Sequence, residues 1–167
     1  MFRPLRLLPA VPIVAALLVL PAAPASADDP VANLDCTFVT TQDINPPITP
    51  EFGPVSSTTH GLTGTADCTG TIDGAQVTGP GAVGITNTGF GNCSGVTGSG
   101  TFVLQVQTTD GVKTVAGRFD FTSGPLPGEV ILTGDLTGTV TALSVEGDCV
   151  NTPITQSTTR IDAHVST

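Results

Sequence analysis

Four cysteines, two histidines and fourteen carboxylates carry most of the reactive chemistry in this 167-residue chain. Cys36, Cys68, Cys93 and Cys149 form an even set without any C-x-x-C spacing, and both histidines lie far from them in sequence. Zinc sites need clustered ligands, so the pattern predicts two disulfides instead. Three connectivities are open. Cys36 shares the inward parity of Leu34 and Phe38, and Cys68 that of Leu62 and Ala66. Parity therefore favours Cys36–Cys68 and Cys93–Cys149, while a strict meander, which separates Cys93 from Cys149, argues against it.

The remaining candidates each have a plainer reading. His60 and His164 fall at a strand start and on a polar parity, where solvated histidines belong. Ser94 and Ser99 sit in Gly-rich strand with no base in sequence reach, and no G-x-S-x-G occurs. Asp120 and Asp135 could pair as glycosidase carboxylates, but both take the outward parity. Glu146, Asp148 and Asn151 could offer oxygens to calcium, yet lack the ligand order of a calcium loop and read as turn chemistry. Residues 79–84 (GPGAVG) match G-x-G-x-x-G with a proline inside and no helix after it, so they read as a strand bend. Asn92-Cys93-Ser94 has a glycosylation spacing but a half-cystine at its centre. No pattern here calls for a catalytic residue, cofactor or metal.

The elements that position these residues are strands. Residues 101–122 (TFVLQVQTTDGVKTVAGRFDFT) alternate on both sides of Asp110-Gly111, with Phe102, Leu104 and Val106 facing Val115, Gly117, Phe119 and Phe121. Such a pair predicts a hairpin whose two turn residues take positive φ. Asp73-Gly74 repeats the signal after Leu62–Ile72, and residues 34–41 and 155–165 also alternate. Residues 129–145 shift parity, which implies a bulge or two strands. Pro46, Pro47, Pro50 and Pro54 predict a long surface connection over 42–57, since proline cannot donate to a ladder. No helical period follows the N-terminal region. The expectation is a single all-β domain over 34–167, an antiparallel up-and-down barrel or barrel-like sandwich of seven to eight strands. Lys113 is the lone lysine, so charged guards for exposed edges are missing and closure is favoured. The pairs Thr63/Thr65, Thr69/Thr71, Thr86/Thr88, Thr137/Thr139 and Thr139/Thr141 suit solvent-facing strand positions. A hydroxyl array for ice or polysaccharide is the alternative.

Residues 1–27 read as a secretory signal peptide: Arg3 and Arg6, an apolar run over 7–20, and Ala25-Ser26-Ala27 before cleavage between Ala27 and Asp28. Residues 28–33 would be a flexible mature N-terminus. Cleavage removes two of five bases and none of fourteen acids, so three bases against fourteen acids leave a net charge of −11 instead of −9. That charge disfavours nucleic acid and anionic membranes as partners. Extracellular location also suits disulfides.

Cys68-Thr69-Gly70-Thr71, Gly79-Pro80-Gly81, Cys93 ahead of Gly98-Ser99-Gly100-Thr101-Phe102, and Glu146-Gly147-Asp148-Cys149 resemble small uncharacterised secreted proteins of actinobacteria. That resemblance implies export and a β-fold and carries no activity. In composition and cysteine count the chain is also similar to secreted chromophore-carrying apoproteins of the neocarzinostatin type, although its cysteines lack their closely spaced pairs. The expected function is a secreted non-enzymatic β-domain, a binding or structural module for an extracellular ligand or cell-surface component. A small-ligand carrier or barrel enzyme with a site at one barrel mouth is the alternative, and a protease inhibitor using residues 42–57 a further one. An interior cavity, and the side chains lining it, would discriminate.

Overall fold

The structure, a computed structural model, describes residues 30–167. The expected signal peptide and the Ala27–Asp28 junction lie outside those residues. Ten strands follow in order: β1 (Ala32–Ile48), β2 (Gly53–Thr58), β3 (Gly64–Ile72), β4 (Ala75–Gln76), β5 (Gly81–Asn92), β6 (Gly95–Thr108), β7 (Gly111–Ser123), β8 (Val130–Gly134), β9 (Leu136–Glu146) and β10 (Ile154–Ser166). The described residues contain no helix.

Ten strands replace the expected seven to eight, for three local reasons. The first is the Pro-rich segment. Residues 42–48 complete β1, and residues 53–58 form β2 against β5. The β1–β10 register shifts between Asp43 and Ile48, so the ladder steps over Pro46 and Pro47, which have no N–H to give. Pro54 takes an exposed β2 position opposite Phe90. The expected surface connection over 42–57 is thus largely ladder. Second, the two-residue β4 closes a hairpin on β3. Third, residues 129–145 take the two-strand alternative, as β8 and β9, with the break after Gly134, which adopts φ 111°. Of the segment expected to be flexible over 28–33, residues 32 and 33 already belong to β1. Ala32 is buried, and Asn33 pairs with both Ser166 and Thr71.

Every neighbouring pair is antiparallel, and the ladder returns on itself. From β1 it runs through β10, β9, β8, β7, β6 and β5. Between β5 and β1 one slot is shared end to end by two strands. There β3 pairs with β1 over residues 32–39 and with β5 over residues 81–83. Further along, β2 pairs with Asp43 and Ile44 of β1 and with residues 86–91 of β5.

Period-two alternation directs the apolar residues inward, and they separate into two clusters. The larger contains Leu34, Phe38, Ile72, Val83, Leu104, Val115, Leu136 and Val165, all almost fully buried. The smaller contains Ile44, Ile48, Val55, Val96, Cys149 and Ile154, at the end where β1 finishes and β2, β6 and β10 begin. Cys36–Cys68 joins directly opposed residues of β1 and β3 beside the larger cluster. Cys93–Cys149 ties the β5–β6 turn to the β9–β10 connection beside the smaller one.

Glycine on the inner parity of β6 leaves space for large rings there. A Cβ on Gly100 would stand 2.4 Å from Phe119 Cζ, and one on Gly98 would stand 2.9 Å from Phe121 Cε1. Those absent side chains make room for two phenylalanines between the clusters.

Candidate functional site

Between the two clusters lies a cavity of about 150 Å³. Its apolar wall comes from Ile85, Phe119, Leu132, Val140 and Ile161 on the larger-cluster side and from Ile44, Val55, Val96 and Ile154 on the smaller. Leu126, Pro127 and Gly128 of the β7–β8 connection bound it as well. A dry cavity of this size holds a molecule like benzene.

One wall is polar. On β1 the inward row Leu34, Cys36, Phe38 continues with Thr40 and Gln42, both buried. On β5 the row Val83, Ile85 continues with Asn87. Asn87 Nδ2 donates to Gln42 Oε1 at 3.0 Å and to Ser57 Oγ at 2.9 Å. Ser57 Oγ donates to the same Gln42 oxygen at 2.8 Å. Gln42 Nε2 in turn reaches Thr40 Oγ1 at 3.3 Å, and Thr40 Oγ1 lies 3.1 Å from Thr159 Oγ1. In this arrangement the Asn87 NH₂ faces both the Gln42 carbonyl and the Ser57 hydroxyl. Asn87 Oδ1 is left buried, without a donor among the described residues. An unpaired buried acceptor costs about 1–3 kcal/mol.

Among the described residues, no Asp, Glu, His, Lys, Arg or Cys lines the cavity. The histidines are elsewhere. His60 sits in the β2–β3 connection with Nε2 2.5 Å from Asp43 Oδ2, its side chain 79% exposed. His164 faces outward on β10, with Nδ1 3.0 Å from Asp35 Oδ1 of the opposed β1 residue. Asp43 is held below the ordinary carboxylate range, chiefly by the Gln156 amide and then by His60.

The outer face carries two shallow grooves. Asp120 and Asp135 border one of them with Arg118, Thr86, Thr88 and Thr101, and Asp135 Oδ2 accepts the Arg118 backbone N–H at 2.9 Å. Ser99 lines this groove too, and Ser94 lies in the exposed β5–β6 turn. Asp35, Asp67, Asp162 and His164 border the other, flanked by Thr69 and Thr137. The T-x-T pairs therefore face outward in separate groups instead of forming one array. No group of three or more potential metal-ligating side chains occurs among the described residues.

In the β9–β10 connection, Asp148 Oδ1 accepts the backbone N–H groups of Asn151, Thr152 and Val150 at 2.7, 2.9 and 3.1 Å. Asn151 turns its NH₂ to Asp148 Oδ2 at 2.7 Å. The loop is built around a carboxylate surrounded by N–H donors, so those oxygens do not converge outward on a cation. Residues 79 and 80 lie in the connection from β4 to β5, and residues 81–84 are already strand. At Asn92, Oδ1 accepts the Ser94 N–H at 2.9 Å, while Cys93 is disulfide-bonded.

Reading the sequence missed Gln42, Ser57 and Asn87. The signal was present in part, because unbroken parity puts Gln42 and Asn87 on inward rows where a polar residue needs a partner. No family model, curated protein or solved structure matches the chain.

Proposed function

We propose that this chain is an exported, non-enzymatic β-domain that carries a small, mainly apolar ligand inside a closed barrel. The observation that carries the reading is the cavity, about 150 Å³ in volume, with mainly apolar walls, one polar face and no titratable side chain among the described residues. Acid–base and nucleophilic chemistry need such a group at the bound molecule, whereas binding needs shape and a few placed polar atoms. The returning β1–β10 ladder supports the barrel. Two disulfides are compatible with an oxidising extracellular compartment. The inhibitor alternative loses its rigid loop, because residues 42–48 and 53–58 lie in strands and only Thr49–Phe52 connects them.

The test uses protein collected from culture supernatant. Its N-terminal residue should be Asp28, and toluene should bind saturably, perturbing NMR signals of Phe119 and Val140. Ala142 lines the same cavity, so Ala142→Leu should retain the β circular-dichroism spectrum and weaken toluene binding at least about tenfold by filling that volume. Unsaturable binding, or equal affinity in the variant, would rule the carrier out.

A further inference from the structure

We infer that the outer face of β2, β5, β6, β7 and β8 binds a neutral polysaccharide chain, at a site separate from the interior cavity and independent of the carrier reading. The ladder registers set three outward rows side by side across that face. Pro54, Phe90, Thr97, Thr122 and Ile131 are successive partners in the first row. Ser56, Thr88, Ser99, Asp120 and Thr133 make the second, two residues along each strand. The third runs through Thr86, Thr101 and Arg118 to Asp135, whose Oδ2 accepts the Arg118 N–H. Neighbouring strands lie about 4.8 Å apart, so four steps carry each of the first two rows across about 19 Å. Several sugar rings fit along that length.

Two properties of the face point to a sugar. The first is apolar surface where alternation places polar groups. The chain has seven Phe and no Tyr or Trp, yet Phe90 stands 59% exposed on the outer side, beside Pro54. A bare ring flanked by proline offers a flat surface to the C–H face of a sugar. The second is that the adjoining polar groups are uncommitted. Among the described residues, Thr88, Ser99, Thr101, Asp120 and the Arg118 guanidinium line the groove without a side-chain hydrogen bond to protein. On the outer face of β1 and β10 the polar groups bond one another instead, as Thr37 and Arg160 do with Asp162, and His164 with Asp35. The groove thus presents a donor-only guanidinium, an acceptor-only carboxylate and hydroxyls that do both. A polyhydroxylated chain answers all three. Other polymers fit less well: the net charge of −9 repels nucleic acid and anionic glycans. A peptide adding a strand needs an open edge, and β5, β6 and β7 are each paired on both sides.

NMR titration of the exported protein with four neutral hexasaccharides tests this: cellohexaose, laminarihexaose, maltohexaose and N-acetylated chitohexaose. At least one should bind saturably and shift the signals of Thr88, Phe90 and Ser99 while leaving that of Val140, in the cavity wall, in place. Phe90→Ala removes only an exposed ring, so it should keep the β circular-dichroism spectrum and weaken that hexasaccharide at least about tenfold. Ala142→Leu, which fills the cavity, should bind it as the native protein does. Failure of all four sugars overturns the inference, as does a Phe90→Ala variant that binds as tightly as the native protein. Tighter binding of polygalacturonate than of any of the four gives the face to an anionic polymer and overturns it too. Toluene affinity enters none of these outcomes, so the carrier reading stands or falls separately.

Discussion

At the scale of single residues, the candidate site is defined by where polar side chains meet an inward row. Thr40, Gln42 and Asn87 occupy positions that alternation reserves for hydrocarbon, and each is held by another inward-facing polar group. Elsewhere polar chemistry is spent on local structure, and Asp148 is the clearest case. Its carboxyl is held well below the ordinary carboxylate range by the Thr152 N–H first, then by the Asn151 side chain and backbone, with a smaller contribution from Val150. A group whose pKa is depressed in the fold stabilises the protein above its unfolded pKa and loses that effect as pH falls through the folded value. Asp148→Ala should therefore lower Tm by a few degrees near pH 7. The gap between variant and parent should narrow once pH drops below about 4. Thermal unfolding followed across pH checks both, and a gap that does not change with pH would contradict the assignment.

At the scale of elements, one dipeptide gives two different turns. Asp73-Gly74 forms a two-residue loop between paired Ile72 and Ala75, with φ of 50° and 80°. Asp73 Oδ1 also accepts the Val31 N–H at 2.9 Å, which ties the hairpin to the chain entering β1. At the β6–β7 hairpin the last pair is Thr108 with Gly111, so the loop is Thr109-Asp110. Only Gly111, at φ 101°, lies in the left-handed region. Thr108 Oγ1 accepts the Asp110 N–H there at 3.2 Å and donates to Gly111 O at 2.8 Å. The expectation of positive φ at both residues thus holds for the first turn and fails for the second, because the side chain of Thr108 offers a different closure. Asp73→Ala should cost about 1–2 kcal/mol, since alanine resists left-handed backbone. Asp110→Ala should stay within about 0.5 kcal/mol. Urea unfolding of the two variants measures the contrast. The Pro-rich segment teaches the same point: proline excludes a residue from donating, but a register shift lets the strand continue past it.

At the scale of the whole molecule, closure depends on the two chain ends meeting. β1 and β10 are paired along most of their length, and Asn33 lies opposite Ser166. The disulfides reinforce opposite ends of the interior. Cys36–Cys68 supports strands already laddered over residues 32–39. Cys93–Cys149 instead anchors a turn and a connection beside the cavity. Removing Cys93 and Cys149 together by alanine substitution should cost about 2–5 kcal/mol in urea unfolding. It should also open residues 147–153 to protease under native conditions. The corresponding Cys36 and Cys68 variant should leave that connection resistant. Equal protection in both variants would show that the smaller cluster holds this end without its disulfide.

The sequence by itself determined the all-β class, the Thr101–Thr122 hairpin and the sense in which most side chains face. These are properties of period-two alternation and of turn dipeptides, which act over a few residues. Only the tertiary structure decided the sharing of one slot by β2 and β3, the meeting of β1 with β10, and the cavity between two clusters. Those features arise from residues far apart in the chain. The Asn87–Gln42 bond joins residues 45 positions apart, and glycines at 98 and 100 make space only because Phe121 and Phe119 arrive from the next strand. Alternation states which way a side chain points; the volume left unfilled depends on what arrives opposite it.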